Sequence, residues 1–257
     1  MTQTERREYL IKELLKEQKS APYCEIPQDE RGQKIMLRSL FNIRMPKMPE
    51  SGFLKVQDEY LKEETRRKGI TDISQLKEIK EDIFLWRGDI TTLRCDAIVN
   101  AANSQMLGCF YPCHGCIDNA IHTFAGVQLR AACAEIMRLK GHDEEVGGAI
   151  ITPAFNLPCR FVLHTVGPFI NGSVTKKDED SLKSCYISCL KLADKNCLQN
   201  VAFCCISTGE FHFPNKRAAE IAILAVHEYK LQTHSKIKVI FNVYKQLDYS
   251  IYNDLLK

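Results

Sequence analysis

The chain has 257 residues, 45% of them hydrophobic, which is enough for one large domain or for a domain with an appendage. Its 35 basic and 32 acidic residues leave a net charge of +3, so no broad positive field favours nucleic acid as a partner. No apolar run approaches the roughly 18 residues that a membrane helix needs, and the N-terminal residues lack the apolar core of a signal peptide. We therefore expect a cytoplasmic protein with no membrane partner, whose twelve cysteines are mostly reduced and buried.

Residues 1–80 carry three or four helical patterns and no convincing strand, which predicts a helical N-terminal extension. The first helix would be capped by Thr4. The second pattern covers residues 35–41, and the third covers residues 53–68 and ends at Gly69. We expect this extension to pack as a cap on the domain formed by the rest of the chain.

From residue 81 onward, short apolar strands alternate with helical patterns, which is typical of an α/β domain whose sheet is covered on both faces. Strands are predicted around residues 83–86, 97–99, 149–151, 161–163, 201–206 and 239–243. Helices are predicted over residues 117–140, from residue 181, over residues 216–229 and from residue 248, with a polar loop at residues 171–180.

Three cysteines and a histidine lie in the short loop 109–116, between a predicted strand and a predicted helix. Cys109, His114 and Cys116 have the spacing Cys-x4-His-x-Cys, and thiolate and imidazole ligands suit Zn²⁺. Three close ligands without an obvious fourth are typical of an open, catalytic zinc site. Cys113 leaves alternatives open, because it would close a structural site as a fourth ligand or form a redox pair with Cys116. A cysteine-rich surface loop without a metal is a further alternative.

Polar side chains flank this loop on both sides. Asp118 and His122 are four residues apart at the start of the predicted helix and therefore lie on one face of it. They are candidates for proton transfer. It is an equally good interpretation that Asp118 caps the helix and that His122 is a buried histidine without a catalytic role. Asn100 and Asn103 end the preceding strand, where amides suit either a set of sugar hydroxyls or a turn.

Two other strand ends carry residues that indicate a ligand-binding site less specifically. Ser207, Thr208 and Gly209 lie between a strand and a helix, where free backbone amides cradle phosphate or simply form a tight turn. The spacing is not that of a nucleoside-triphosphate loop. Asp89 follows the first predicted strand and either accepts a hydrogen bond from an adenine amino group or bonds to its own turn.

Taken together, these segments resemble the macrodomain family, whose fold binds ADP-ribose. The order and spacing match over residues 82–257. The matching segments are Gly88-Asp89-Ile90-Thr91, Ile98-Val99-Asn100-Ala101-Ala102-Asn103, Ile117-Asp118-Asn119-Ala120-Ile121-His122, His164-Thr165-Val166-Gly167-Pro168 and Ile206-Ser207-Thr208-Gly209. The Cys-x4-His-x-Cys insertion and the helical extension resemble more closely the zinc-containing macrodomains of microbes. Members of that branch are protein-ADP-ribose hydrolases, and some are encoded beside a sirtuin-type ADP-ribosyltransferase.

The resemblance implies a three-layer α/β macrodomain over residues 81–257, with a mixed central sheet flanked by helices, after the extension at residues 1–80. It implies that Asp89 and the Ile90 amide contact the adenine and that Tyr244 stacks near it. It implies that Asn100 and Asn103 position the distal ribose. The implied diphosphate-binding residues are Ser207, Thr208, Gly209, Glu210 and Phe211, and the implied zinc ligands are Cys109, His114 and Cys116.

The chain departs from the ordinary hydrolase macrodomains at two places. Those proteins have a run of glycines where this chain has the zinc loop, so their chemistry does not transfer directly. Glu210 also puts an acid in the diphosphate loop, where ordinary members have an apolar residue. Unless its side chain points away, it would repel the ligand.

Residues and resemblance together predict zinc-dependent hydrolysis of mono-ADP-ribose from modified proteins, at an ester linkage to Asp or Glu. Asp118 would orient a water or act as general base, with Asn103 and His122 beside it. The expected partners are ADP-ribose, the modified protein and a sirtuin-type transferase. Three alternatives are a module that binds ADP-ribosylated protein without cleaving it, an esterase acting on O-acetyl-ADP-ribose, and a domain with a structural zinc.

Overall fold

A computed structural model describes residues 1–18 and 25–257, and it begins with three helices. These are α1 (Gln3–Glu17), α2 (Glu30–Ile43) and α3 (Ser51–Lys68). Thr2 caps α1 through a reciprocal pair of hydrogen bonds with Glu5, so the predicted cap at Thr4 is wrong. The third helix ends at Gly69, as predicted, because that residue adopts a φ of 90°.

The three helices share a small apolar core of their own. Its buried members are Leu10, Ile11, Leu14, Leu37, Leu40, Phe41, Phe53, Tyr60 and Leu61, with Val127 from the following domain. Gln57 of α3 accepts a hydrogen bond from the Val127 amide at 3.0 Å and donates to Gln128 at 2.7 Å. Apolar and polar contacts thus join the extension to the rest of the chain.

Seven strands form the central sheet in the order β2–β3–β9–β8–β5–β7–β6. They are β2 (Glu78–Lys80), β3 (Ile83–Arg87), β5 (Ala97–Ala102), β6 (Ala149–Pro153), β7 (Phe161–Val166), β8 (Asn200–Phe203) and β9 (Lys238–Val243). The five inner strands are parallel and the two edge strands are antiparallel to their neighbours. This is the mixed sheet that the resemblance to macrodomains implies. The separate pair β1 (Thr71–Asp72) and β4 (Leu93–Arg94) is parallel.

Helices cover both faces of the sheet. They are α4 (Ile117–Ala125), α5 (Val127–Lys140), α6 (Lys176–Lys195), α7 (Asn215–Thr233) and α8 (Gln246–Leu255). The chain steps from β5 toward β7 through α4 and α5, and in the opposite direction from β7 to β8 and β9 through α6 and α7. Helix α4 packs on β5 and α5 on β6, whereas α6 packs on β6 and β7 and α8 packs on β3 and β9.

Several boundaries differ from the prediction. Residues 71–72 and 78–80 form strands in a segment for which the sequence predicts helices only. The single helix predicted over residues 117–140 is two helices, because Gly126 has a φ of 93° that ends the first one. Helix α6 begins at Lys176, inside the predicted loop, and β8 ends at Phe203, before the predicted residue 206. No helix among the described residues is long and apolar enough to cross a membrane.

Candidate active site

The inner strands are parallel, so their carboxyl ends meet at one edge of the sheet, where ligands bind in such folds. Asn100, near the end of β5, is fully buried there and lies opposite His164 of β7 in the sheet register. Its Nδ2 donates to Asp118 Oδ1 at 2.8 Å and lies 3.1 Å from His164 Nδ1. Its Oδ1 is buried without a hydrogen-bond partner in the described structure. One amide thus connects the sheet to the start of α4.

The three predicted zinc ligands come together in the loop before α4. The ligand atoms of Cys109, His114 and Cys116 all lie within 4.8 Å of one another. Cys116 also caps α4, since its Sγ accepts from the Asn119 amide at 3.4 Å. Burial raises the pKa of Cys116 to about 12, so the thiolate form needs a cation beside it. His114 Nδ1 is buried without a partner in the described residues, and this donor set fits Zn²⁺.

Cys113 points away from this group. Its Sγ lies 3.2 Å from Ser39 Oγ and 3.5 Å from the carbonyl of Ile35, both in helix α2. Its amide donates to Asn42 Oδ1 at 2.9 Å, which fixes a backbone with a φ of 54°. This arrangement favours three protein ligands over a closed set of four.

Helix α2 and the buried Arg130 form hydrogen bonds with the loop at residues 109–116. Arg38 Nη2 donates to the His114 carbonyl at 2.9 Å and to Asn119 Oδ1 at 2.8 Å. Arg130 Nη2 donates to the Cys109 carbonyl at 3.4 Å. Burial lowers the pKa of Arg130 to about 10, opposed by the nearby Asp118 carboxylate. The extension is therefore part of the wall of the site.

Asp118 and His122 lie on one face of α4, as predicted, and both are buried. His122 Nε2 is 3.5 Å from Asp118 Oδ1. Burial raises the pKa of Asp118 to about 6, while the hydrogen bond from Asn100 opposes the rise. Burial also lowers the pKa of His122 well below its usual value, and neither ring nitrogen has a hydrogen-bond partner in the described structure. His122 is thus an uncharged imidazole that is buried next to Asp118.

The Asn103 side chain forms hydrogen bonds with the backbone of the loop that follows β5. Its Nδ2 donates to the Gly108 carbonyl at 3.3 Å, and its Oδ1 accepts from the Gln105 amide at 3.1 Å. Gly108 has a φ of 78°, and a Cβ there would lie 2.7 Å from the His122 ring. The side chain of Asn103 therefore holds the turn that leads into the loop at residues 109–116.

The predicted diphosphate loop follows β8 at the same edge of the sheet. Ser207 adopts a φ of 63°, and its Oγ is buried without a partner in the described structure. The Thr208 hydroxyl donates to the Cys205 carbonyl at 3.0 Å. Gly209 and Glu210 are exposed, and the Phe211 ring packs edge-on against Phe169 with centroids 5.7 Å apart. The Ser207 hydroxyl is thus buried and the Thr208 hydroxyl is bonded within the loop.

Asp89 begins a short 3₁₀ turn that contains the buried Ile90. Its Oδ1 accepts from the amide and hydroxyl of Thr91, at 3.0 and 2.6 Å, and its Oδ2 pairs with Lys68 at 3.0 Å. Burial alone would raise the pKa of Asp89, but the bonds from Thr91 and Lys68 lower it. Tyr244 follows β9, the neighbour of β3, and its side chain is 77% exposed.

A family model described as Macro domain matches residues 99–222. Over 260 residues, covering 100% of both chains, the protein is 54% identical to a protein-ADP-ribose hydrolase of Treponema medium. The chain belongs to the macrodomain family. A protein-ADP-ribose hydrolase of Staphylococcus aureus (strain MSSA476) is 49% identical, over 97% of this chain and 94% of that one. With relatives of this kind matched over nearly the whole chain, the macrodomain is an enzyme of the hydrolase class, as predicted.

A solved macrodomain from Trypanosoma brucei, in complex with ADP-ribose, has the same fold. The two structures superpose with a TM-score of 0.67 and 28% sequence identity, over 86% of this chain and 95% of that one. Together with the family match, this confirms the predicted macrodomain architecture.

Sequence reasoning missed the macrodomain's contacts from the extension. Arg38, Asn42 and Lys68 reach the candidate site from residues that are remote in sequence. Each lies on an amphipathic helix, where a polar residue is ordinarily solvated. The spacing of apolar residues along these helices therefore does not predict the contacts of these three residues with the site. His164 was present in the family segment, but its contact with Asn100 required the strand register.

Proposed function

We propose that this macrodomain removes mono-ADP-ribose from modified proteins, at an ester to Asp or Glu, with zinc held by Cys109, His114 and Cys116. The names of the relatives from Treponema medium and Staphylococcus aureus support the reaction class. The observation that carries the proposal is the juxtaposition of the three ligands with the buried Asn100–Asp118 pair at the sheet edge.

The loops around this edge would hold the ADP-ribose. Asp89 and the Ile90 amide would contact the adenine, with Tyr244 beside them. Ser207 has a left-handed φ of 63° at the start of the loop 207–211, and backbone amides of this loop would bind the diphosphate. Positioning the nucleotide in this way supplies a large part of the barrier reduction in such reactions.

The distal ribose would then lie between the zinc loop and Asn100. When bound, zinc would supply Lewis-acid chemistry, by polarising the ribose or the ester or by lowering the pKa of a water. Asp118 would orient the attacking water or accept its proton, since Oδ1 is taken by Asn100 and Oδ2 has no partner among the described residues.

His122 and Asn103 would support this arrangement in different ways. His122 is buried 3.5 Å from Asp118, so it would position that carboxylate rather than touch substrate. Asn103 would hold the turn before Cys109 and face the ribose from the end of β5. The modified protein and a sirtuin-type transferase remain the proposed partners.

The test measures ADP-ribose release from an automodified transferase, together with the metal content of each sample. Wild type and Cys113→Ser should release ADP-ribose at similar rates, while Cys116→Ala should lose both zinc and activity. Equal rates for wild type and Cys116→Ala would remove zinc from the reaction. Tight ADP-ribose binding without turnover would identify a binding module, and faster release from O-acetyl-ADP-ribose would identify an esterase.

Removal of the metal with a chelator distinguishes a catalytic zinc from a structural one. Arg38 and Asn42 hold the loop without help from a metal, so the chelated protein should stay folded and still bind ADP-ribose. Unfolding on chelation, followed by circular dichroism, would indicate a structural zinc instead.

A further inference from the structure

A carboxylate of the diphosphate loop faces the histidine of the zinc loop. Glu210 Oε1 lies 3.6 Å from His114 Nε2, although the two loops follow different strands. The Glu210 side chain is 68% exposed, and it has no other hydrogen-bond or ionic partner in the described structure. Tyr111 packs edge-on against the His114 ring, with centroids 5.5 Å apart, and limits its rotation.

The two ring nitrogens of His114 are in different surroundings. Nδ1 is buried and has no partner among the described residues, whereas Nε2 faces Glu210. A neutral imidazole carries a hydrogen on one nitrogen and a lone pair on the other, and only the nitrogen with the lone pair binds a metal. The surroundings therefore favour a hydrogen on Nε2 and a lone pair on Nδ1.

We propose that Glu210 is a positioning residue of the zinc site: when zinc is bound, it accepts the Nε2 hydrogen of His114 and leaves Nδ1 for the metal. This inference rests on the zinc-dependent function proposed above. A histidine that binds a metal usually donates its other N–H to a carboxylate, a carbonyl or water, which fixes the tautomer and strengthens the ligand.

The backbone around Glu210 supports such a role. The Ile170 amide donates to the Phe211 carbonyl at 2.9 Å, and the His212 amide donates to the Gly209 carbonyl at 3.1 Å. These bonds fix the backbone on both sides of Glu210, whose carboxylate lies 3.6 Å from His114 Nε2. The same contact explains how the proposed diphosphate loop tolerates the acidic residue Glu210, because its carboxylate faces His114, a proposed zinc ligand.

The experiment measures Zn²⁺ affinity by competition with a chromogenic chelator, without nucleotide. The Glu210→Ala variant should bind Zn²⁺ about 10- to 100-fold more weakly than wild type. The Glu210→Gln variant, which keeps an acceptor oxygen but no charge, should lie between them. Glu81→Gln is the matched control, since the Glu81 side chain is 87% exposed and far from this loop in the fold. Equal affinities for wild type and Glu210→Ala would overturn the proposal.

Cobalt substitution distinguishes a positioning residue from a ligand. The Co²⁺ form of Glu210→Ala should keep the thiolate charge-transfer bands and the ligand-field bands of wild type, because the ligand set is unchanged. A changed ligand-field spectrum would make Glu210 a ligand and overturn its role through His114. If wild type itself binds no Zn²⁺, the proposed function fails as well, whereas equal affinities leave that function standing.

Discussion

Lys68, the last residue of helix α3, places its ammonium group 3.0 Å from Asp89 Oδ2. The other oxygen, Oδ1, already accepts from the amide and the hydroxyl of Thr91. An adenine amino group that bonds to Asp89 must therefore share Oδ2 with Lys68. The helical extension thus reaches the proposed adenine site directly.

The Lys68→Met variant should bind ADP-ribose more tightly than wild type, by about three- to tenfold, the net worth of one hydrogen bond. Methionine keeps an apolar contact with Phe124, over which the Lys68 ammonium lies. Isothermal titration calorimetry measures the change, with Lys62→Met on the exposed side of α3 as control. Equal or weaker binding by Lys68→Met would show that the ammonium does not compete with the ligand.

The Arg38→Ala variant should weaken zinc binding and slow ADP-ribose release. It removes a charged donor from both the His114 carbonyl and Asn119, an effect worth roughly 1.5–3 kcal/mol, or about tenfold to a hundredfold. Arg38→Lys should rescue little, because one ammonium does not reproduce the planar fork. Arg31→Ala, at an exposed position of the same helix, is the control. Unchanged zinc affinity in Arg38→Ala would mean that the loop holds its shape without α2.

His164 should make the stability of the protein sensitive to acid. Burial lowers the pKa of His164 to about 3. In a protonated ring, Nδ1 would carry a hydrogen that points at the N–H group of the Asn100 side chain, 3.1 Å away. The folded state therefore binds fewer protons than the unfolded state between about pH 6.5 and pH 3. The stability from the neutral ring is complete above the unfolded pKa and is lost as the pH falls through this window.

Urea unfolding between pH 7 and pH 4 measures this loss. The His164→Gln variant should show a shallower decline than wild type, by up to ~1.4 kcal/mol per pH unit for one proton. Both proteins are measured with a chelator, so that metal release does not add to the slope. Parallel curves would mean that His164 takes up its proton in the folded state without penalty.

The pattern of apolar strands and the ligand spacing could be read from the sequence because both are local. The ligand group Cys109, His114 and Cys116 lies within eight residues, and the structure brings it together. The partners of that group could not be read in the same way. Arg38 and Glu210 come from separate elements on either side of it, and only the packing of α2 and the loop after β8 brings them near.

The break between α4 and α5 illustrates a second limit. Apolar positions continue at helical spacing through residues 117–140, so periodicity favours one helix. Gly126 interrupts it because its backbone leaves the helical region, with a φ of 93° and a ψ of 173°. Gln57 of the extension and Gln128 lie close to Gly126, and these neighbours are not visible in the apolar spacing.

The Gly126→Ala variant should therefore be strongly destabilised. Gly126 has a φ of 93° and a ψ of 173°, a region almost reserved for glycine. An added Cβ would lie 2.6 Å from Gln128 Oε1 and 2.7 Å from Gln57 Nε2. We expect a loss of about 3 kcal/mol or more from backbone strain and the disrupted hydrogen bond between the two glutamines.

Gly141→Ala provides the matched control for that measurement. Gly141 also has a positive φ, 77°, but a Cβ there would meet no atom within 4 Å. The strain of a left-handed alanine alone should cost about 1–2 kcal/mol. Urea denaturation of the two variants would give the difference between them. Equal losses would show that neither the backbone conformation of Gly126 nor the contact with Gln57 and Gln128 adds to the cost of a left-handed alanine.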